Sequence, residues 1–279
     1  METEKNIKKT VKEKYSEIAV QTKAHNSSSC CGSGVCSTEI YNIMSDDYTK
    51  ITGYNPDADL GLGCGLPTQF AHIKEGDTVI DLGSGAGNDC FVARAATGAK
   101  GKVIGIDLTE DMINKARVNG DKLGLNNIEF RLGDIENLPV TANKADVIVS
   151  NCVLNLVPDK KKAFLEIFRV LKTGGHFSIS DVVLKDQLPE SIKKASEMYA
   201  GCVAGALQKT DYINIIHETG FINVKIQKEK PIVIPEDILS RYLNETELKA
   251  YKEKGTGIFS ITVYGEKPKE TCGVNCGCS

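Results

Sequence analysis

Three cysteines stand in settings where thiolates could gather around one soft atom. Cys64 lies in Leu60-Gly-Leu-Gly-Cys-Gly-Leu-Pro67, Cys152 in Ser150-Asn-Cys-Val-Leu-Asn-Leu156, and Cys202 in Met198-Tyr-Ala-Gly-Cys-Val-Ala-Gly-Ala-Leu207. They are too far apart in sequence for a local zinc knuckle, whose ligands come in closely spaced pairs. Gathered by a fold, they would form a cage of soft sulfur ligands for a thiophilic centre. Cys152 and Cys202 could also pack as small hydrophobes. Cys64 sits in a glycine-rich loop, where packing gives no reason for a cysteine, so its functional weight is higher.

A second set of residues is acidic. Asp81 opens Asp81-Leu-Gly-Ser-Gly-Ala-Gly-Asn-Asp89, in which Gly83, Gly85 and Gly87 let the backbone turn sharply and approach a ligand. A glycine loop alone is a weak signal, because dinucleotide enzymes use a similar one. Here Asp81 precedes the glycines, where it could face a cationic amino acid tail. Asp107 ends the next predicted strand, where a carboxylate can take both ribose hydroxyls. Asp134, in Gly133-Asp-Ile-Glu136, follows the third, where it can accept from an adenine amino group. Three acids at successive strand ends suit a ligand with an amine, a ribose and adenine but no phosphate.

Such residues need a frame, and alternating strands and helices between 76 and 185 predict a doubly wound α/β sheet. Strands are expected at Thr78–Leu82, Lys102–Asp107, Ile128–Leu132, Asp146–Ser150 and His176–Val183, with helices at Asp89–Thr97, Thr109–Leu123 and Lys160–Leu171. Thr109, followed by Glu110 and Asp111, reads as a helix cap backed by acids that favour the helix dipole. Lys172-Thr-Gly-Gly175 reads as a glycine C-terminal stop. Further on, a charged helix at Glu236–Lys254 and a strand at Ile258–Gly265 would form a cap over the substrate side. The expected organisation is an N-terminal thiol-bearing region (1–62), a catalytic domain (63–225) and a C-terminal region with a cysteine tail (226–279).

The chain of 279 residues, 41% of them apolar, is long enough for a full α/β core. A net charge of −3 offers nothing to nucleic acid, and no basic block suggests a membrane surface. The charged segment Met1–Lys9 does not read as a secretory signal, and no apolar run approaches a membrane span. A cytoplasmic location is therefore expected, where the ten cysteines would remain thiols for soft ions or redox exchange. Six of them, Cys30, Cys31, Cys36, Cys272, Cys276 and Cys278, crowd the two ends among glycines and serines that cannot build a core. The tail set matches no standard zinc spacing and reads equally as a soft-ion collector or a solvated tail. Cys90 reads as a packing residue, and His176 as a satisfied core residue.

The glycine loop and its three carboxylates resemble the class I S-adenosylmethionine-dependent methyltransferases over residues 75–225. A narrower resemblance covers nearly the whole chain. Val11-Lys-Glu-Lys-Tyr15, Cys30-Cys31-Gly32, Ala58–Gly65, Asp81–Cys90, Ser150–Asp159 and Gly201–Ala206 are similar to the arsenite S-adenosylmethionine methyltransferases. The resemblance implies S-adenosylmethionine as cofactor, held by Asp81, Gly83, Gly85, Gly87, Asp107, Met112, Asp134, Ile135 and Asn151. It implies that Cys152 and Cys202 bind trivalent arsenic, with Cys64 as third thiolate or disulfide partner and either Cys30 or Cys31 as a relay thiol. It also implies arsenite or its glutathione conjugate as substrate and a thioredoxin- or glutathione-type reductant. A monomer is expected.

The chemistry supports this independently. Trivalent arsenic exchanges oxygen ligands for thiolates and keeps a lone pair that can attack a sulfonium methyl. No proton is lost from arsenic, so no general base is required, and His25, His72, His176 and His217 all lie outside the motifs. Methylation formally oxidises arsenic, and neighbouring cysteines can return the electrons by disulfide formation and exchange. Two other classes compete. A carbon methyltransferase for a small apolar substrate would need a flat apolar pocket instead of thiol- and glycine-rich segments. A non-enzymatic thiol buffer for soft metals would leave the three carboxylates without purpose.

Overall fold

The computed structural model describes residues 4–20, 44, 46–193, 203, 205–254 and 257–269. A helix α1 (Glu4–Ala19) and a one-turn helix α2 (Pro67–Phe70) precede the alternating region. There follow β1 (Thr78–Leu82), α3 (Asn88–Thr97), β2 (Lys102–Asp107), α4 (Glu110–Lys122), β3 (Ile128–Leu132), β4 (Ala145–Asn151), a 3-10 turn (Leu154–Leu156), α5 (Lys160–Val170) and β5 (Leu171–Leu184). Then come α6 (Glu190–Lys193), α7 (Lys209–Glu218), β6 (Ile222–Pro231), α8 (Glu236–Leu239), α9 (Glu245–Lys254) and β7 (Ile258–Glu266). The strands form one sheet in the order β3-β2-β1-β4-β5-β7-β6, with β1 to β5 parallel and β7 antiparallel to both neighbours.

The near-continuous apolar strands follow from burial on both faces. Ile80, Leu82, Ile104 and Ile148 point to one side, where α5 and α7 supply Phe164, Ile167, Tyr212 and Ile216. Phe164, Phe177 and Phe221 meet there at steep ring angles, a packing that adds about 1 kcal/mol per pair beyond burial. Val79, Val103, Val147 and Val149 face the other side, covered by α3, α4 and the end of α1. Strand order reverses between β1 and β4, so the cleft opens there, beyond the carboxyl ends of the strands.

Several local expectations change. Thr109 stands at the N-cap of α4, but its side chain makes no cap bond; its hydroxyl bonds Asp107 instead. Leu171, extended at ψ 139, ends α5, while Gly174 with φ +75 turns the chain inside β5. The single helix expected over Glu236–Lys254 is two, because Asn244 and Glu247 cap one another's backbone N–H and start α9 afresh. β6 went unread because Ile-Asn-Val-Lys-Ile-Gln-Lys-Glu-Lys-Pro is a charged edge strand, exposed along most of its length. The helix α1 was not expected either; Ile18 and Ala19 anchor its last turn in the core. Among the described residues no helix is long and apolar enough to cross a membrane.

Candidate active site

β1 delivers Asp81 to the cleft, and the loop to α3 brings Gly83 and Gly85 to its wall, whereas Gly87 faces the Phe91 and Phe130 rings and does not line the cleft. Gly85 has φ +51, and a Cβ built there would meet nothing within 4 Å, so its face is open to a ligand. Beside it the buried Ser84 hydroxyl has no hydrogen-bond partner. Asp107 accepts the Gly85 N–H at 2.9 Å through one oxygen and the Thr109 N–H at 2.8 Å through the other. Its carboxylate, which also accepts from the Thr109 hydroxyl, therefore clamps the glycine loop at the wall of the cleft. Met112, Asp134, Ile135, Asn151 and Cys152 line the same cleft, which holds about 1110 Å3 counting its open mouth.

Carboxylates crowd this space. Asp81 is pushed well above the usual carboxylate range by burial and by the neighbouring Asp89, although the Cys90 thiol donates to it at 3.2 Å. Asp89 is pushed up to about 6 by burial, against the hydrogen bonds it accepts from Tyr48, Asn151 and Thr68. Burial also raises Asp107, against the backbone N–H donors of Thr109 and Gly85. Among the described residues lining the cleft, Lys8 is the one basic side chain, reaching from α1 to Asp134 at 2.6 Å and Glu136 at 2.5 Å. A site of this kind lowers its energy by taking a cation. The open glycine face, the unpartnered Ser84 hydroxyl and the Asp107 carboxylate at the cleft wall fit S-adenosylmethionine, whose ammonium and sulfonium are cationic and whose ribose donates two hydroxyls.

Cys152 adopts φ +61, a left-handed conformation that costs a non-glycine residue about 1–3 kcal/mol and is found where function holds it in place. Its N–H donates to the Ser180 carbonyl at 2.7 Å. Cys64 and Cys152 share one buried cluster with Leu156, Val182, Leu184, Val203 and Ala206. The structure thus brings two of the three candidate thiols into one packed region, and Val203, next in sequence to Cys202, packs there too. Cys202, Cys30 and Cys31 themselves lie outside the described residues, as do Cys36, Cys272, Cys276 and Cys278. Among the described residues no three His, Cys, Asp or Glu side chains are grouped to hold a metal.

The argument that Cys64 lacks a packing reason does not survive: it is fully buried. Glycines on both sides allow this, since a Cβ at Gly63 would lie 2.6 Å from the Asn151 amide and one at Gly65 2.5 Å from the Ser180 hydroxyl. Cys90 packs as expected, and His176 bonds the Ala71 carbonyl at 2.6 Å. Lys8, Tyr48, Ser84 and Asp89 are cleft residues that sequence reasoning missed. Asp89 alone carried a signal, an acid directly behind the glycine loop, but it was read only as a helix start. Residues 73–220 match a family model described as a methyltransferase domain. An arsenite methyltransferase from Halobacterium salinarum is 38% identical over 271 residues, 92% of this chain and 66% of the relative. One from Aquipseudomonas alcaligenes is 30% identical, covering 85% of this chain and 68% of that one.

The chain belongs to the arsenite methyltransferase family.

It spans about two thirds of the length of those two relatives. Among solved structures, an arsenic(III) S-adenosylmethionine methyltransferase from Chlamydomonas reinhardtii superposes with a TM-score of 0.61 at 30% identity, covering 82% of this chain and 73% of that one. The fold is that of the S-adenosylmethionine-dependent methyltransferases.

Proposed function

We propose that this arsenite methyltransferase homologue transfers methyl groups from S-adenosylmethionine to thiolate-bound trivalent arsenic. The observation that carries the reading is Cys152. It lines the donor cleft in a strained left-handed conformation and shares a buried cluster with Cys64. Asp107 takes the ribose hydroxyls while its other lone pairs keep the glycine loop closed, and Asp134 with Ile135 borders the adenine. Asp81 and Asp89 balance the cationic amino acid end. Cys152 and Cys202 hold arsenic, and Cys64 supplies the third sulfur or a disulfide partner.

When bound, the donor supplies an electrophilic methyl carbon on a sulfonium. The thiolates keep arsenic's lone pair aimed into the cleft, so the arsenic–carbon bond forms as the carbon–sulfur bond breaks and a thioether leaves. Two electrons move from arsenic to the new bond, and the cysteines return them by forming a disulfide. Cys30 or Cys31 relays that oxidation to a thioredoxin- or glutathione-type reductant. The protein acts as a monomer without nucleic acid or membrane partners. Its N-terminal region carries the relay thiol. The cap expected over Glu236–Lys254 and Ile258–Gly265 is reduced to the helical part, since Ile258–Glu266 runs inside the sheet while Ile238, Leu239, Leu243 and Tyr251 pack on the cluster that holds Cys64 and Cys152.

Incubation with arsenite, methyl-labelled donor and a thiol, followed by arsenic speciation, tests the reading. Wild type yields methylated arsenicals. Cys152→Ser binds the donor normally but neither binds nor methylates arsenic, because a hydroxyl is a hard and largely protonated ligand. Full activity in Cys152→Ser overturns the assignment.

A further inference from the structure

The hydrogen bonds behind Cys64 tie residues of the donor cleft to the thiol side of the site. The Cys64 N–H donates to Asn151 Oδ1 at 3.0 Å, and Ser260 Oγ donates to the Cys64 carbonyl at 2.5 Å. Asn151 Nδ2 donates to the Tyr48 hydroxyl at 2.7 Å, to the Gly65 carbonyl at 2.9 Å and to Asp89 at 3.2 Å. The Tyr48 hydroxyl in turn donates to the Asp89 carboxylate at 2.9 Å. Both functional groups of the Asn151 amide are thereby committed to the residues around Cys64, one position before Cys152 leaves β4. Tyr48, Asp89 and Asn151 all border the donor cleft, whereas Cys64 does not.

We propose that Tyr48, Asp89 and Asn151 are positioning residues that fix the Cys64 loop against the end of β4, and thereby set the preference for inorganic arsenite over methylarsenite. The proposal rests on the arsenic reading above. Inorganic arsenite offers three positions to sulfur and methylarsenite only two, so only the first requires Cys64 to be held in register with its partners. A loosened loop penalises the first methylation more than the second. A general loss of fold or of donor affinity would lower both alike. The network therefore predicts a change in a ratio, which neither of those effects produces.

Tyr48→Phe removes one oxygen and leaves the ring packed on Leu66 and Val92. Asp89→Asn keeps the size but replaces one acceptor oxygen with a donor that opposes Tyr48 and Asn151. In each variant the ratio of kcat/KM for arsenite to that for methylarsenite should fall about tenfold, the effect of losing one buried hydrogen bond. Independently of arsenic, alkylation of Cys64, followed by peptide mass spectrometry, should accelerate several-fold in both variants, with that of Cys90 as the constant control in Tyr48→Phe only, since the Asp89 charge bears on the Cys90 thiol. If wild type methylates both substrates and the folded variants keep its ratio and its Cys64 alkylation rate, the positioning role is refuted. If wild type methylates neither, the arsenic reading fails, and the alkylation rates alone then support or refute the role assigned to Tyr48, Asp89 and Asn151.

Discussion

Replacing Asp107 with alanine isolates the part of the cleft that holds the donor's ribose. Each oxygen of Asp107 accepts a backbone N–H, from Gly85 at 2.9 Å and Thr109 at 2.8 Å, and the carboxylate lines the cleft, where ribose hydroxyls can displace the Thr109 hydroxyl. Two ribose hydroxyls donating to a buried carboxylate contribute about 1.5–3 kcal/mol each. Truncation should therefore weaken donor binding by at least about 3 kcal/mol, on the order of 100-fold or more. The glycine loop also loses its clamp, but water entering the cleft replaces those acceptors, so folding stability should fall by only about 1 kcal/mol. Asp107→Asn should lie between, since its amide can accept one hydroxyl while its NH2 opposes a backbone donor. Isothermal titration with S-adenosylmethionine and with S-adenosylhomocysteine measures all three proteins. Equal affinities for wild type and Asp107→Ala would refute the assignment of this carboxylate to the ribose.

Two other predictions concern charge. Asp89, raised to about 6, is protonated in the cofactor-free protein below that pH and presents no charge to a cation. Donor affinity should rise as the pH climbs through about 6, with a proton released on binding; titrations at pH 6 in buffers of different ionisation heat would detect it, and identical heats would count against it. The sign for folding is opposite. A carboxyl raised in the fold favours the folded state while protonated, so that increment is present below the ordinary value of 3.8 and gone above about 6. Burial lowers the Lys8 pKa, and its hydrogen bonds to Asp134 and Glu136 more than offset this, so the ammonium is stabilised overall. With Lys8 and Asp134 both partly exposed, Lys8→Met should cost only about 1 kcal/mol, or about 2–4 °C in melting temperature. An unchanged melting curve would mean that the packing of Val11, Tyr15, Ile18 and Ala19 and the Lys115 bond to the Ala19 carbonyl hold α1 without this ion pair.

The frame was legible because its signals are local. β1, β2 and β3 begin and end at the predicted residues: β1 and β2 are largely apolar runs, and β3 alternates Ile128, Phe130 and Leu132 with Glu129 and Arg131. The reading failed where a side chain served a distant partner. Thr109 has the right identity for a cap, but its hydroxyl is drawn to Asp107. Cys64 reads as a loop residue without a packing role because the neighbours that bury it, Cys152, Val182, Leu184 and Val203, are remote in sequence. Nothing in the sequence around Tyr48 announces its bond to Asp89, 41 positions away. In β6 the alternation of Ile222, Val224 and Ile226 breaks off at the charged run Gln227–Lys230, which hides the strand's second half.

The crowding of carboxylates also bears on the moment after transfer. The donor arrives with a sulfonium charge and departs as a neutral thioether, so each turnover removes one positive charge from a cleft that favours cations. Asp81 and Asp89 keep the product's ammonium as a partner, but the sulfonium part of the attraction is gone. A cleft lined this way favours the unreacted donor over the spent one, and turnover itself loosens the hold on the product without any moving part.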